Sequence, residues 1–180
     1  MDHILDPNGY DHILFVTVLC ALYQTSQWKK VILLVTAFTL GHSLTLAMAS
    51  LNLVSFNPTL IETLIPITII LTGSYNLFTL FRDSRIDKGV RLHYLLALLF
   101  GLIHGLGFSN YFKAIMGSED SILMPLFAFN VGVEVGQIFI VTLVMALGYL
   151  LSDIFKFPRK YWTGTISVMA IMVATYLLCR

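Results

Sequence analysis

Six apolar stretches run through the 180 residues, and each is long enough to cross a lipid bilayer as a helix, which takes about 20 residues. Turn-forming or charged residues separate them, and they cover roughly residues 11–27, 30–54, 59–81, 91–113, 122–151 and 161–179. Only 12% of the residues are charged, whereas soluble chains have about a quarter. Transmembrane β-strands would alternate apolar and polar residues, which these stretches do not. The pattern predicts an all-α, polytopic membrane protein with six transmembrane helices in one bundle.

The basic residues are distributed unevenly between the links that join these stretches. Nine of the 11 Lys and Arg lie in the first, third and fifth links, and the others are Lys113 and Arg180. Cytoplasmic links carry an excess of Lys and Arg. We therefore expect an inner-membrane protein with both termini on the outer, periplasmic side. The start is acidic and is not expected to be a signal peptide, so residues 1–180 are expected to form a single transmembrane domain.

Ionisable and amide side chains within the apolar stretches are expected at one depth, between the midplane and the outer surface. They come from five helices: Asp11, His12, His42, Glu62, His104, Asn130 and Glu134. A charge that faces lipid near the midplane costs about 3 kcal/mol, so several of these side chains should face the bundle interior. Helical spacing puts Asn130, Glu134 and Gln137 on one face of the fifth helix. It puts Thr39, His42 and Ser43 on one face of the second.

A GxxxG pair, Gly101 and Gly105, adjoins His104 in the fourth stretch. Two glycines at this spacing let the backbone of a neighbouring helix approach closely. The sequence therefore allows a tight helix contact beside this histidine.

Three imidazoles with one or two carboxylates suit a borderline divalent metal ion such as nickel, cobalt, zinc or copper. The candidate metal ligands are Asp11, His12, His42, His104 and Glu134. The candidate supporting residues around them are Ser43, Asn130, Gln137 and Glu62.

These residues also have purely structural interpretations. Asp11 could cap the first helix, His12 could lie at the headgroup level, and His42 could be a neutral imidazole bonded to Ser or Thr. Glu62 could be solvated, and the two amides could serve in helix packing. His93, near the inner surface, is not expected in the site. The Phe and Tyr side chains are expected mostly to face lipid or the interface.

Four motifs resemble the HupE/UreJ family of small membrane proteins: GYDHILF, TAFTLGHSLTLA (36–47), FGLIHGLGF (100–108) and FNVGVEVGQ (129–137). The resemblance implies an association with hydrogenase or urease accessory systems and nickel or cobalt permease activity. It implies that Asp11 and His12 match the family's Asp-His pair, and His104 the histidine of its glycine-rich motif. Leu5 and Phe100 stand where the nickel-permease form has histidines, so the chain resembles the second branch of the family.

Three functions fit this pattern: a divalent-metal permease, a zinc-dependent intramembrane hydrolase with Glu134 or Asp11 as general base, and a non-transporting metal-binding accessory protein or sensor. We favour the permease, because buried charges in membranes mark ion pathways. The inner half carries few polar residues beyond Thr36, Asn76 and Gln137 and indicates no path inward. The expected partners are the lipid bilayer, the metal ion, and a periplasmic metal donor or a second copy. A net charge of +1 gives no reason to expect nucleic acid.

Overall fold

The computed structural model describes residues 10–81, 90–116 and 123–179, and the described residues are helical, without a strand. The helices are α1 (Tyr10–Cys20), α2 (Trp28–Ser50), α3 (Pro58–Phe81), α4 (Val90–Met116), α5 (Leu123–Tyr149) and α6 (Arg159–Leu178). A 3-10 turn (Thr25–Gln27) precedes α2, and a π-helical turn (Leu150–Ile154) follows α5. Within these ranges, α2 to α6 are long and apolar enough to cross a membrane, and α1 is a shorter apolar helix. The all-helical, membrane-spanning class is confirmed.

The first predicted stretch, residues 11–27, differs most from the structure. The helix ends at Cys20 and has 11 residues, which at 1.5 Å per residue is about 16 Å, roughly half of the hydrocarbon thickness. The polar residues from Gln24 to Gln27 form a turn instead of continuing the helix. The sequence therefore predicted the helical state but not the length of α1.

Side chains from α3 and α6 satisfy the carbonyl groups at the end of α1, which a helix end leaves without intrahelical partners. Asn76 Nδ2 donates to Val18 O at 2.7 Å, and Thr163 Oγ1 donates to Ala21 O at 2.7 Å. The Arg159 guanidinium donates to Tyr23 O and places a positive charge at the negative end of the helix dipole. These bonds explain how so short a helix is held inside the bundle.

The five longer helices pack around α1. Its side chains Phe15, Val16 and Val18 are buried, and it contacts α3, α5 and α6. The most extensive pair is α2 with α4, followed by α3 with α6. The end of the bundle where α2 and α6 begin carries basic residues from Lys29 to Lys30 and from Arg159 to Lys160, and we call it the basic end.

The close contact of α2 with α4 depends on glycine. A Cβ atom on Gly101 would collide with the backbone oxygen of Phe38, and one on Gly105 would collide with that of His42. Thr45 Oγ1 also donates to Leu102 O across the interface at 2.7 Å. The tight contact that the glycine pair allows is present beside the fourth-helix histidine, and it fixes the relative height of α2 and α4.

The C-terminal cap of α2 ends the helix at Ser50 and not near residue 54, and it uses Asn in place of the usual glycine. Asn52 has a positive φ of 57°, a conformation that Asn tolerates better than most residues. Leu53 N donates to Met48 O and Asn52 N to Ala49 O, which is the Schellman pattern of a helix C-terminus.

Candidate functional site

Three imidazoles from three helices meet in the interior of the bundle. The ring centre of His12 lies 5.3 Å from that of His42 and 5.0 Å from that of His104. His42 and His104 are each 0% exposed and lie near the middle of α2 and α4. We call these three side chains, with Asp11, the histidine cluster.

The position of the cluster corrects the expected depth of the Asp-His pair. We expected Asp11 and His12 at the outer end of the first helix, with the headgroup region as an alternative location for the imidazole. The structure instead puts the first turn of α1 level with the middle of α2 and α4, because His12 contacts both of their histidines. The side chain of His12 is only 14% exposed. The start of α1 therefore lies at mid-height in the bundle.

Hydrogen bonds fix the tautomers of two of the rings. His104 Nδ1 lies 2.8 Å from Phe100 O, and since a carbonyl can only accept, Nδ1 carries the proton and Nε2 presents the lone pair. His12 Nδ1 lies 2.8 Å from Asp11 Oδ1, and the carboxylate selects the same tautomer. Metal-binding histidines commonly donate their second ring nitrogen to a carbonyl or carboxylate in this way.

The remaining ring nitrogens are buried without a hydrogen bond. They are Nε2 of His12, Nε2 of His104 and both nitrogens of His42, counting only bonds of good geometry to residues 10–81, 90–116 and 123–179, although the Asn130 side chain also interacts with the His42 ring. A buried polar atom without a partner costs about 1–3 kcal/mol. Buried polar groups in folded proteins are nearly always bonded, so such a concentration indicates a site that is completed by something other than these side chains.

Asp11 interacts with the adjacent residue, His12. Its Oδ1 accepts from the backbone N–H of His12 at 2.6 Å and lies within hydrogen-bonding distance of that ring. The first bond occupies an N–H of the first helical turn, and the second orients the imidazole. Asp11 lies within α1 and bonds the adjacent N–H, whereas an N-cap side chain bonds an N–H two or three residues further on, so its geometry matches the orienting role better than the capping role.

Phenylalanine rings enclose the cluster. The ring centres of Phe15 and Phe38 lie 5.0 Å and 5.2 Å from that of His104, and the ring centre of Phe108 lies 5.2 Å from that of His12. The expectation that the Phe side chains mostly face lipid or the interface is wrong for these three. Apolar walls lower the local dielectric constant and strengthen any interaction of the cluster with an ion.

The spacing of the rings is compatible with a shared ion, although the rings are not yet oriented toward one. Two imidazoles that bind one tetrahedral ion through bonds of about 2.1 Å hold their ring centres roughly 5 Å apart. The plane of His12, however, is inclined by 81° to both other rings. In the part of the chain that the structure describes, no three His, Cys, Asp or Glu side chains are already arranged to hold a metal ion. Binding would require side-chain rotation.

The predicted amide residues join α2 to α5. Ser43 Oγ donates to Asn130 Oδ1 at 2.8 Å, and Thr39 Oγ1 donates to Gln137 Oε1 at 2.7 Å. The polar faces predicted for these two helices therefore meet beside His42. The contact of Gln137 matches the helix-packing interpretation, whereas the Asn130 side chain also interacts with the His42 ring, as a supporting residue of the site would.

The two predicted glutamates lie elsewhere. Glu134 is half-buried and lines a cavity of about 370 Å³ between α2 and α5, together with Thr36 and Trp28. Glu62 is exposed on α3, which matches the alternative that it is solvated. Neither carboxylate has a described contact with the imidazoles, and their roles at the site stay predictions.

His93 has no described contact with the histidine cluster, in line with the expectation that it lies outside the site, but its burial was not predicted. This side chain is 6% exposed, and its Nδ1 lies 2.7 Å from Tyr23 Oη. Helical spacing could have indicated the burial, because His93, Ala97, Phe100 and His104 follow one another on a single face of α4.

The whole chain matches one family. The family model described as HupE / UreJ protein covers residues 1–180, and so includes every residue of the histidine cluster. No curated protein and no solved structure matches the chain. The family is associated with nickel or cobalt transport or with accessory roles. On this match over its entire length, the chain belongs to the HupE/UreJ family.

Proposed function

We propose that this protein is a membrane permease for a divalent transition metal ion of the nickel or cobalt type, and that the histidine cluster binds the ion in transit. Imidazole nitrogens prefer such borderline ions over calcium or magnesium, which take oxygen ligands. A site at mid-height also suits alternating access, in which one site opens in turn to each side of the membrane.

One observation supports the proposal above all others. Four buried ring nitrogens of His12, His42 and His104 have no hydrogen bond of good geometry to the described residues. An ion bound by one nitrogen of each ring would offset much of the cost of burying them. Because Asp11 and Phe100 O bond the Nδ1 atoms of two rings, the lone pairs of those rings are on Nε2.

The hydrolase alternative receives less support. A general base has to be free to take a proton from metal-bound water. Asp11 is instead bonded to His12, and Glu134 lines the separate cavity between α2 and α5. These contacts favour binding and transport over hydrolysis.

We further propose that the basic end faces the cytoplasm, since cytoplasmic links carry the excess of basic residues. The two cysteines provide the test without an added label site, because Cys179 is exposed and Cys20 is buried. A membrane-impermeant maleimide should label wild-type protein in intact cells but not the Cys179→Ser variant. Labelling only after the cells are broken would show that the protein has the opposite orientation in the membrane.

Metal binding and uptake test the permease itself. Purified protein in nanodiscs is titrated with Ni²⁺ and Co²⁺, and the same protein in liposomes is assayed for uptake with an ion-sensitive dye inside. We expect binding of one ion per chain and uptake, with both lost in His42→Ala. Leu44→Ala is the matched control, because Leu44 lies two residues away and faces outward.

The possible results separate the three functions. Binding without uptake in the wild type would favour a non-transporting accessory protein. Equal metal affinity in wild type and His42→Ala would show that the histidine cluster does not bind the ion. A thermal melt of each variant shows that its fold is retained.

A further inference from the structure

A polar cavity lies at the basic end of the bundle. It has a volume of about 510 Å³ and is formed by the turn that precedes α2 and the turn that joins α5 to α6. Unlike the cavity that Glu134 lines, whose walls are mainly apolar, it is lined in large part by hydroxyl, amide and charged side chains. These include Gln24, Thr25, Ser26, Asp153, Lys156 and Arg159.

The turn between α5 and α6 has an irregular backbone, which shapes one wall of the cavity. α5 is followed by the π-helical turn Leu150–Ile154, and Lys156 has a positive φ of 56°. A lysine in this left-handed conformation is uncommon, and it persists only where the surrounding structure holds it. The turn thereby brings Asp153, Lys156 and Arg159 to the same cavity.

Two cationic side chains and one anionic side chain line the cavity, so its lining has a net charge of +1. Lys156 is exposed and has no hydrogen bond or ion pair with the residues that the structure describes. Arg159 donates to Tyr23 O, but a guanidinium has five N–H donors and can bind a second partner. Asp153 interacts with the charge of Arg159 and offsets part of it. Lys156 is therefore the cation that is most available to a ligand.

The segments around the cavity add to this positive charge. Residues 20–31 and 149–161 contain five basic residues, Lys29, Lys30, Lys156, Arg159 and Lys160, and one acidic residue, Asp153. A surface with this excess attracts anions. A divalent cation is correspondingly disfavoured here, so the cavity has the opposite preference to that of the histidine cluster.

The cavity lies where the apolar span of α5 ends. That span runs from Leu123 to Ile154, and Lys156 and Arg159 follow it directly. At such a position a helix leaves the hydrocarbon and meets the lipid headgroups. Tyr149 and Phe157, which are exposed, also line the cavity. A ligand here meets both cationic and apolar surface, as the headgroup and the first methylene groups of a lipid would.

We propose that this cavity binds the headgroup phosphate of an anionic phospholipid, with Lys156 and Arg159 as cationic partners and the Thr25 and Ser26 hydroxyls as hydrogen-bond donors. Hydrogen bonds from cationic groups to phosphate are among the stronger ones in proteins. Basic pockets between transmembrane helices recognise anionic headgroups in the same way. The inference depends on neither the permease proposal nor a metal ion.

Lipid titration of the full-length protein in detergent, followed by native mass spectrometry, tests the charge preference. Phosphatidylglycerol carries a net negative charge, whereas phosphatidylcholine has the same phosphate and no net charge. We expect the first phosphatidylglycerol to bind at least about fivefold more tightly, the factor that one basic residue near a headgroup contributes. Equal affinities for the two lipids would overturn the proposal.

Three variants that each remove one charge locate the bound lipid. Lys156→Gln should weaken phosphatidylglycerol binding by about fivefold, and Asp153→Asn should strengthen it. Lys160→Gln is the matched control, because Lys160 lies at the basic end but does not line the cavity, and its affinity should stay within about twofold of wild type. Equal losses in the two lysine variants would indicate attraction to the whole basic surface and would contradict binding in the cavity, as would no loss in Lys156→Gln.

Thermal melts provide a second readout and distinguish a lipid from free phosphate. Phosphatidylglycerol should raise the melting temperature of the wild type, because a ligand of the folded state stabilises it, and should raise that of Lys156→Gln less. Inorganic phosphate at the same ionic strength should not raise it. An equal rise with inorganic phosphate would assign the cavity to the free anion and overturn the lipid assignment. Asp153→Asn keeps both cations and tests the site even if Lys156→Gln fails to fold.

Discussion

Two helices of this protein carry the same small-residue motif in opposite surroundings. In α4, Gly101 and Gly105 lie against the backbone of α2 so closely that a Cβ atom on either would collide with it. In α5, Gly132 and Gly136 have the same spacing, but a Cβ atom there would meet no described atom within 4 Å. A GxxxG pair in a sequence thus predicts that close approach is allowed, and not that it occurs.

The same difference separates the ionisable residues of the two helices. His104, between the glycines of α4, is fully buried in the histidine cluster. Glu134, between the glycines of α5, is half-buried and lines the cavity beside α2. Close packing against a neighbouring helix fixes the position of an ionisable side chain, as a metal site requires, whereas an open face leaves it room to move.

Glycine-to-alanine substitutions should give the largest contrast between α4 and α5. Gly105→Ala would force α2 and α4 apart, at a cost of about 1–3 kcal/mol or more, and should abolish metal binding by separating His42 from His104. Gly136→Ala should keep the wild-type melting temperature or raise it, because Ala is the better helix former by up to about 1 kcal/mol. Thermal unfolding of both variants in one detergent measures this. Equal melting temperatures would show that the α2–α4 contact is not as tight as described.

Removing the ionisable group of each helix should give the next largest contrast. His104→Ala deletes a proposed ligand and should weaken Co²⁺ binding by more than about 100-fold, beyond the range for supporting groups. Glu134→Gln should weaken it by less than about tenfold, because Glu134 has no described contact with the cluster. Isothermal titration of both variants compares them. A larger loss in Glu134→Gln would make the carboxylate a ligand and require α5 to move toward the cluster.

Asp11→Asn should have an intermediate effect. If Asp11 only caps α1, the change should be nearly neutral, since Asn caps about as well. If it orients His12, loss of the charge should weaken metal binding by roughly 10–100-fold. We expect the second result, because Asp11 Oδ1 lies 2.8 Å from the ring nitrogen that would otherwise be free to change tautomer. The same titration, with a melt as a control for folding, distinguishes the two roles.

Acidification should have the smallest effect per step and should show whether metal binding competes with protonation of the imidazoles. Ligating imidazoles must be neutral, so affinity should fall by about tenfold per pH unit, for each proton displaced, once the pH drops below the pKa of the ligating rings. Titrations at several pH values locate the fall. An affinity that stays constant over the whole pH range in which the protein remains folded would contradict imidazole ligation.

The sequence predicted those features of the fold that depend on one helix at a time. The five long helices and the polar faces of α2 and α5 follow from apolar length and helical spacing. The length of α1 did not follow, since its carbonyls are satisfied by Asn76, Thr163 and Arg159, which are distant in the sequence. Spacing along one helix contains no information about such partners.

The sequence predicted only part of the site, again because spacing along one helix does not identify partners on other helices. The three histidines were identified by their shared depth, and the structure brings them together. Glu134 shared the depth and the face of Asn130 and Gln137, yet the open side of α5 keeps it beside a cavity. The burial of His93 was not predicted, because its partner Tyr23 lies beyond the end of α1, and a continuous first helix gave no reason to expect that residue in the interior.

X-ray absorption spectroscopy of the protein loaded with one equivalent of Co²⁺ tests the central claim most directly. The claim is that His12, His42 and His104 bind one metal ion together. We predict three imidazole nitrogens at about 2.0–2.1 Å, the distance usual for such bonds. In His104→Ala the count should fall to two, and in Leu44→Ala it should stay at three. A first shell made only of oxygen, or one that keeps the same number of imidazoles in His104→Ala, would contradict the account.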